Sequence, residues 1–372
     1  MTEPIYSPGL EGVVAGETAI STITGGLEYR GYSVDELARH ASFEEVAFLL
    51  LHGELPTGEQ LAALSKRLHE AAHLAGPLVE LLRKIPASAP LMDVMRTGAS
   101  ALAHWDEEAG DNSHEANVRK AERRVAQLPV LLAARHRLMQ GKEPVPIDER
   151  LSLAGNLLWM LFREEPSQRM VRAMDVSLVL YAEHEYNAST FTARVVASTL
   201  SDLDSAITAA IGALKGPLHG GANEQVMHVL KDVGSAAKAE TWVRGALARK
   251  QRIMGFGHRV YKTGDPRATL LKDLCGELAE ETGNQDMEKM ADTIETIVVQ
   301  EKKLPPNLDW PSARLYYYMG LPVELYTPLF VVSRVTGWGA HVIEQLDHNR
   351  LIRPRANYIG VPPRAWTPLE KR

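Results

Sequence analysis

The feature that most constrains this 372-residue chain is the spacing of its apolar residues, which returns at helical intervals and is repeatedly cut off by glycine. Ile207, Ala210, Ile211 and Leu214 fall at i, i+3, i+4 and i+7, one face of a helix that Gly216-Pro217 stops. Val226, Val229, Leu230 and Val233 repeat the pattern up to Gly234, and Leu270, Leu271, Leu274 and Leu278 repeat it up to Gly283. Ser33-Val-Asp-Glu36, Ser42-Phe-Glu-Glu45 and Thr57-Gly-Glu-Gln60 read as capping boxes, each opening a helix. β-structure is expected only as a small hairpin within Glu17 to Arg30. The fold class is therefore all-α, with a polar loop from Asp106 to Asn117 and no internal repeat.

With 45% hydrophobic residues the core is too large for one simple domain, and two are expected. A net charge of −6 argues against nucleic acid as a partner, so an anionic substrate would need a local cluster of arginines. The single cysteine, Cys275, rules out an intrachain disulfide and makes a cysteine metal site a poor fit. Met1 to Leu10 has neither a basic nor an apolar signal region, and no apolar run is long enough for a bilayer. The expectation is a cytoplasmic protein without membrane contact.

Three loops carry candidate chemistry. In Gly216-Pro-Leu-His219-Gly-Gly-Ala-Asn223, two glycines let backbone crowd a ligand, and Asn223 is a natural N-cap for the next helix. His219 would then stand just before a helix N-terminus, which favours a neutral imidazole able to donate a hydrogen bond to an oxygen gaining charge. A turn histidine satisfying a carbonyl is the competing reading. Gly255-Phe-Gly-His258-Arg-Val-Tyr-Lys262 permits close approach to a planar or phosphorylated ligand but lacks the third glycine of a dinucleotide fingerprint. Asp265-Pro266-Arg267 follows, an N-cap, an N1 proline and an arginine that the helix dipole disfavours. Leu304-Pro-Pro-Asn307-Leu-Asp309-Trp-Pro311 is a proline-stiffened loop in which Leu308 and Trp310 would desolvate Asp309 and raise its pKa toward that of a general base. A turn-capping aspartate is the alternative there.

Arg334 lies in the apolar helix Leu329-Phe-Val-Val-Ser-Arg334-Val and needs an anion to be tolerable. With Arg267, Arg353 and Arg355 it could hold a dicarboxylate through bidentate forks; unrelated salt bridges are the alternative. There is no His-Glu-x-x-His, no Walker A loop and no Gly-x-Ser-x-Gly. His184 has no second ligand at helical spacing, so no metal is expected.

Taken together, Tyr-Arg-Gly-Tyr32, Ala182-Glu-His-Glu-Tyr-Asn-Ala-Ser-Thr190, the His219 and His258 loops, Asp265-Pro-Arg267, Asn307-Leu-Asp309, Thr327-Pro-Leu-Phe-Val-Val-Ser-Arg334 and Arg350-Leu-Ile-Arg-Pro-Arg355 resemble the citrate synthases, in order and over almost the whole chain. The resemblance implies a mostly helical homodimer with shared active sites. Its large domain would span 1–218 and 321–372, and its small domain 219–320. It places the catalytic groups on His219, His258 and Asp309, and the oxaloacetate ligands on His184, His258, Arg267, Arg334 and Arg353, the last reaching into the partner's site. It places CoA along Ile253, Gly255, Phe256 and Gly257, with Lys262 and Asn307 nearby. It implies no cofactor, the CoA thioester being a substrate, and no metal.

The implied reaction joins acetyl-CoA to oxaloacetate and hydrolyses the thioester to citrate and CoA, with propionyl-CoA also accepted. Tyr181 stands where many members have histidine. With Asn307-Leu-Asp-Trp-Pro-Ser-Ala313 and the opening Tyr6-Ser-Pro-Gly-Leu, it resembles the 2-methylcitrate synthase branch, so a dedicated propionyl-CoA enzyme is the alternative. A non-catalytic helical assembly protein on the same fold is the alternative from another class. The chain starts close to its first recognisable motif, and a dimer without NADH inhibition is expected.

Overall fold

The computed structural model describes residues 6–257 and 264–372, and among these it has sixteen α-helices and one small sheet. The sheet comes first. Strands β1 (Ser21–Thr22), β2 (Glu28–Tyr29) and β3 (Tyr32–Ser33) pair antiparallel in sequence order, with Ser21 opposite Tyr29 and Tyr29 opposite Tyr32. It is one strand larger than the expected hairpin. Arg30 (φ 49) and Gly31 (φ 85) form a two-residue loop with both φ positive, which matches strand twist and brings the chain straight back.

Ten helices follow: α1 (Val34–His40), α2 (Phe43–His52), α3 (Gly58–Ala71), α4 (Gly76–Lys84), α5 (Leu91–Leu102), α6 (His114–Met139), α7 (Leu153–Phe162), α8 (Gln168–Tyr181), α9 (Ala188–Ala197) and α10 (Leu203–Leu214). Then come α11 (Ala222–Val233), α12 (Ala236–Ala248), α13 (Pro266–Thr282), α14 (Gln285–Lys302), α15 (Asp309–Tyr318) and α16 (Tyr326–Asp347). The three apolar stripes fall on α10, α11 and α13, and Gly234 and Gly283 close the last two as left-handed C-caps. Capping boxes form at Ser42 and Thr57, each worth about 1 kcal/mol. The third pattern also opens a helix: Ser33, the last residue of β3, is the N-cap of α1 but makes no side-chain cap bond. The polar stretch is a loop only as far as Ser113, whose hydroxyl caps α6; the rest is already helix.

Helix α16 runs through the centre against α6, α9, α8 and α2, while α9 packs on α10 and α10 on α5. Helices α11 to α15 pack mainly on one another, α12 on α14 and α13 and α11 on α15. They meet the rest mainly through α13 on α8, with smaller contacts of α13 on α1 and α11 on α16. The chain therefore presents a seam, and the N-terminal ends of α9, α11, α13 and α15 all open beside it. After α16 the chain runs exposed and mostly without regular structure, with Tyr358 74% and Trp366 77% exposed. Among the described residues no helix is long and apolar enough to cross a membrane.

Candidate active site

A cavity of about 960 Å³ lies along this seam. Its lining includes Tyr181, His184, His219, Arg267, Asp309 and Arg334. With Asn307, which also lines it, six residues proposed from the sequence share one cavity, although they are spread from position 184 to 334.

The floor is built where α8 ends against α16. Arg334 is buried, donates from Nε to the Tyr181 carbonyl at 2.7 Å, and lies 4.7 Å over the Phe330 ring. Among the described residues its buried Nη1 has no hydrogen-bond partner, a cationic donor beside the cavity. No carboxylate of the chain is paired with it within 4 Å among the described residues, so it could take an anion that enters the cavity. Gly337 lets α16 pack closely on the segment that follows α8, since a Cβ there would collide with Glu183 Oε2 and the Ala182 carbonyl. Glu183 is fully buried and accepts from Ser21 Oγ at 3.0 Å, with His341 Nε2 at 2.9 Å. This carboxylate fixes the segment that carries His184 into the cavity.

Asp309 is the first residue of α15 and not part of the preceding loop, and Pro311 sits inside the first turn of that helix. The loop proper is 303–308. It is held by strand-like pairing with the glycine segment: Gly257 N donates to Pro305 O at 2.8 Å, Asn307 N to Gly255 O at 2.9 Å, and Asn307 Nδ2 to Gly257 O at 2.9 Å. At Gly255 (φ 90) a Cβ would lie 2.8 Å from Val226 and 2.9 Å from Trp310, so only glycine fits. Asn307 Oδ1 accepts from the Asp309 amide at 3.1 Å. The Tyr181 hydroxyl donates to Asp309 Oδ1 at 2.9 Å and is 2.8 Å from Ser312 Oγ. Burial pushes the Asp309 carboxyl above the ordinary aspartate range, opposed by the Tyr181 bond and the nearby Arg267 charge.

Arg267 and Asp265 form a buried bidentate pair, Nε to Oδ1 and Nη2 to Oδ2, both at 2.9 Å. Asp265 also caps α13 and accepts from the Leu308 amide at 3.2 Å. The disfavoured arginine in a first helical turn is thus held by the cap itself, and both residues line the cavity.

His219 stands two residues before Gly221, which is the N-cap of α11; Asn223 is already inside the helix, with Oδ1 accepting from the Glu224 amide. The Ser189 amide donates to His219 Nε2 at 3.2 Å, and Ser189 Oγ is 2.8 Å from the same nitrogen. An amide can only donate, so Nε2 is unprotonated and Nδ1 carries the proton. Burial, with the positive Arg334 adding to it, pushes the imidazole down to about 4, so the ring is neutral at physiological pH. Trp338 Nε1 donates to Ser189 Oγ at 3.1 Å and locks that serine. Phe330 lies 6.2 Å from His219 and 4.7 Å from Tyr181, edge-on to both rings.

His258 and Lys262 lie outside the described residues. Ile253, Gly255, Phe256 and Gly257 do not line the cavity; they sit behind Asn307, which does. Arg353 is exposed in the C-terminal segment and does not line the cavity of its own chain. Sequence reasoning missed Ser189, Phe330 and the bond made by Tyr181. It also missed the segment Gly9 to Gly16, which forms one wall of the cavity. The serine stands in a motif that had been singled out, but nothing in its spacing reveals the imidazole. Among the described residues no cluster of three His, Cys, Asp or Glu could hold a metal ion.

A carboxyl of raised basicity, a neutral imidazole donor and buried guanidinium groups share one solvent-accessible cavity. Proton transfer beside a bound anion is the chemistry they equip, and the scaffold that carries them is all-helical. The citrate synthase C-terminal domain model matches residues 9–355. Citrate synthase 2 of Bacillus subtilis is 48% identical over 366 residues, 98% of each chain. The 2-methylcitrate synthase of Shewanella oneidensis is 46% identical, covering 98% of this chain and 97% of its own. The crystal structure of citrate synthase from Pyrobaculum aerophilum superposes with a TM-score of 0.91 at 40% identity, over 99% of this chain and 97% of that one. The Thermoplasma acidophilum citrate synthase in ternary complex with carboxymethyl coenzyme A and oxaloacetate gives 0.91 at 33% identity, over 99% and 100%. The chain belongs to the citrate synthase family. It is a condensing enzyme of the acyltransferase class.

Proposed function

We propose that this enzyme condenses acetyl-CoA with oxaloacetate and hydrolyses the resulting thioester to citrate and CoA, and that it accepts propionyl-CoA as well. The observation that carries the reading is the pairing, in one cavity, of Asp309 with His219, whose Nε2 accepts from the Ser189 amide and so leaves the proton to Nδ1. Asp309 takes a proton from the carbon next to the thioester. Its raised pKa makes it a better base than a free aspartate. The proton on His219 Nδ1 hydrogen-bonds the thioester oxygen as it gains charge; a neutral donor stabilises the enolate without protonating it outright. Arg334 and Arg267, with His184, hold the oxaloacetate carboxylates, and His258 polarises the ketone. The enol carbon then attacks that ketone, and water cleaves the thioester.

In the same proposal Arg353 completes the partner's site in a homodimer, consistent with its exposed position beyond α16. CoA follows Ile253, Gly255, Phe256 and Gly257, with Lys262 and Asn307 beside it. Residues 219–320 form the small domain and 1–218 with 321–372 the large one, and the enzyme works in the cytoplasm. Closure of the small domain over substrate would exclude water until condensation is complete.

The test is CoA release in the presence of oxaloacetate, comparing kcat/KM for acetyl-CoA and propionyl-CoA. Both should react, within the ~10–200-fold that one methylene usually decides. Absence of turnover with acetyl-CoA alone would turn the reading to a dedicated 2-methylcitrate synthase, and absence with both would remove it. Asp309→Asn should lower kcat about 10²–10⁴-fold and stop solvent deuterium entering the α-carbon of a non-condensing thioester analogue.

A further inference from the structure

Tyr181 is the last residue of α8 and only 3% exposed, yet it touches two functional elements at once. Its hydroxyl donates to Asp309 Oδ1 at 2.9 Å, and its carbonyl accepts from Arg334 Nε at 2.7 Å. Its ring stands edge-on to Phe330, over which the Arg334 guanidinium lies. Ser312 Oγ is 2.8 Å from the tyrosine oxygen and 3.3 Å from the Asp309 carbonyl. The tyrosine proton can serve one acceptor only, and the carboxylate is the stronger one. The Ser312 proton then has two acceptors, the tyrosine oxygen at 2.8 Å and the Asp309 carbonyl at 3.3 Å, and in the shorter contact it polarises the phenol and strengthens its bond to Asp309.

We propose that Tyr181 is a positioning residue that orients both the Asp309 carboxylate and the Arg334 guanidinium, so that base and anion anchor are set by one side chain and its own peptide. The inference rests on the reading of Asp309 as the base. With Oδ1 held by the phenol, Oδ2 is the oxygen left to face the cavity. With Nε held by the Tyr181 carbonyl, the planar guanidinium has its Nη groups left for a carboxylate. The phenol itself stays protonated, since burial and the Asp309 charge push its pKa up. It is therefore a donor and not an acid or base. Its bond favours the charged carboxylate and so opposes the desolvation that would otherwise leave Asp309 protonated.

The test is the pH dependence of kcat in Tyr181→Phe, which keeps the ring and the peptide carbonyl and removes only the hydroxyl. Without the donor the Asp309 carboxyl rises further, so the acid limb should move up by about one pH unit. kcat below the limb should fall about tenfold, while KM for oxaloacetate stays within about twofold because the carbonyl to Arg334 remains. A merely structural tyrosine would lower kcat equally at all pH values and leave the limb in place, and that result would overturn the proposal. Should Tyr181→Phe fail to fold, Ser312→Ala decides: it should move the same limb upward by a few tenths of a unit, and an unmoved limb would overturn the proposal. Asp309→Asn measured in parallel separates the two ideas. Wild-type deuterium exchange in that variant removes the base assignment itself, whereas an inactive Asp309→Asn beside an unshifted Tyr181→Phe removes only the role of the tyrosine.

Discussion

Replacing His219 by glutamine should make the protein less sensitive to acid, although it removes a group placed in the active site. The wild-type imidazole is held at about 4 by burial and by the Arg334 charge, against ~6.5 in an unfolded chain. Between those values the unfolded state binds a proton that the folded state refuses. The stability is therefore fully present above the unfolded value and is lost as pH falls toward the folded one. At ~1.4 kcal/mol per pH unit the full effect is about 3 kcal/mol, and between roughly pH 7.5 and 4.5 it amounts to about 2.5 kcal/mol. Glutamine is of similar length, can keep a hydrogen bond with Ser189, and does not titrate. Urea unfolding of both proteins at the two pH values gives the double difference. It should show the wild type losing about 2.5 kcal/mol more than His219→Gln, while other titrating groups cancel. A double difference within ~0.5 kcal/mol of zero would refute a neutral, desolvated imidazole, and with it the proton placement argued from the Ser189 amide.

Gly337→Ala should be among the most destabilising single changes in the chain, costing about 3 kcal/mol or more, because its methyl lands on the buried Glu183 carboxylate; a thermal midpoint within ~2 °C of wild type would contradict the close packing of α16 on the segment that follows α8. Arg353→Ala and Asp309→Ala subunits, each inactive alone, should regain part of the activity when mixed, since one site of the heterodimer then has both groups; heterodimers that form without recovery would place Arg353 outside the partner's site.

Much of the fold could be read from the residues, and the departures have local physical causes. The stripes on α10, α11 and α13 and the glycines that end two of them were legible because burial and backbone freedom act at the residue itself. Ser33 marked the start of α1 correctly, and only its side-chain cap bond is absent. Asn223 misled because Gly221, with φ 78, took the cap two residues earlier. Asp309 was legible as a desolvated carboxyl from its Leu308 and Trp310 flanks, but not as the opening residue of a helix that includes Pro311. A proline near the N-terminus of a helix and a proline in a rigid loop leave the same trace in a sequence. The partners of these groups were not legible at all. Tyr181 reaches Asp309 across 128 positions and His219 reaches Ser189 across 30, and no local pattern encodes such contacts.

The buried Glu183 beneath His184 sets an order on how the enzyme comes into being. Among the described residues its carboxylate is hydrogen-bonded by Ser21, 162 residues before it, and by His341, 158 after it. A carboxylate shut away from water without them would be strongly disfavoured, so the segment under the cavity cannot settle until the far end of the chain has been made and threaded home. A ribosome-bound chain ending before α16 should therefore carry its helices but no competent pocket, and refolding should be slower than the helical content alone would suggest. Activity, in this architecture, is the last thing that synthesis delivers.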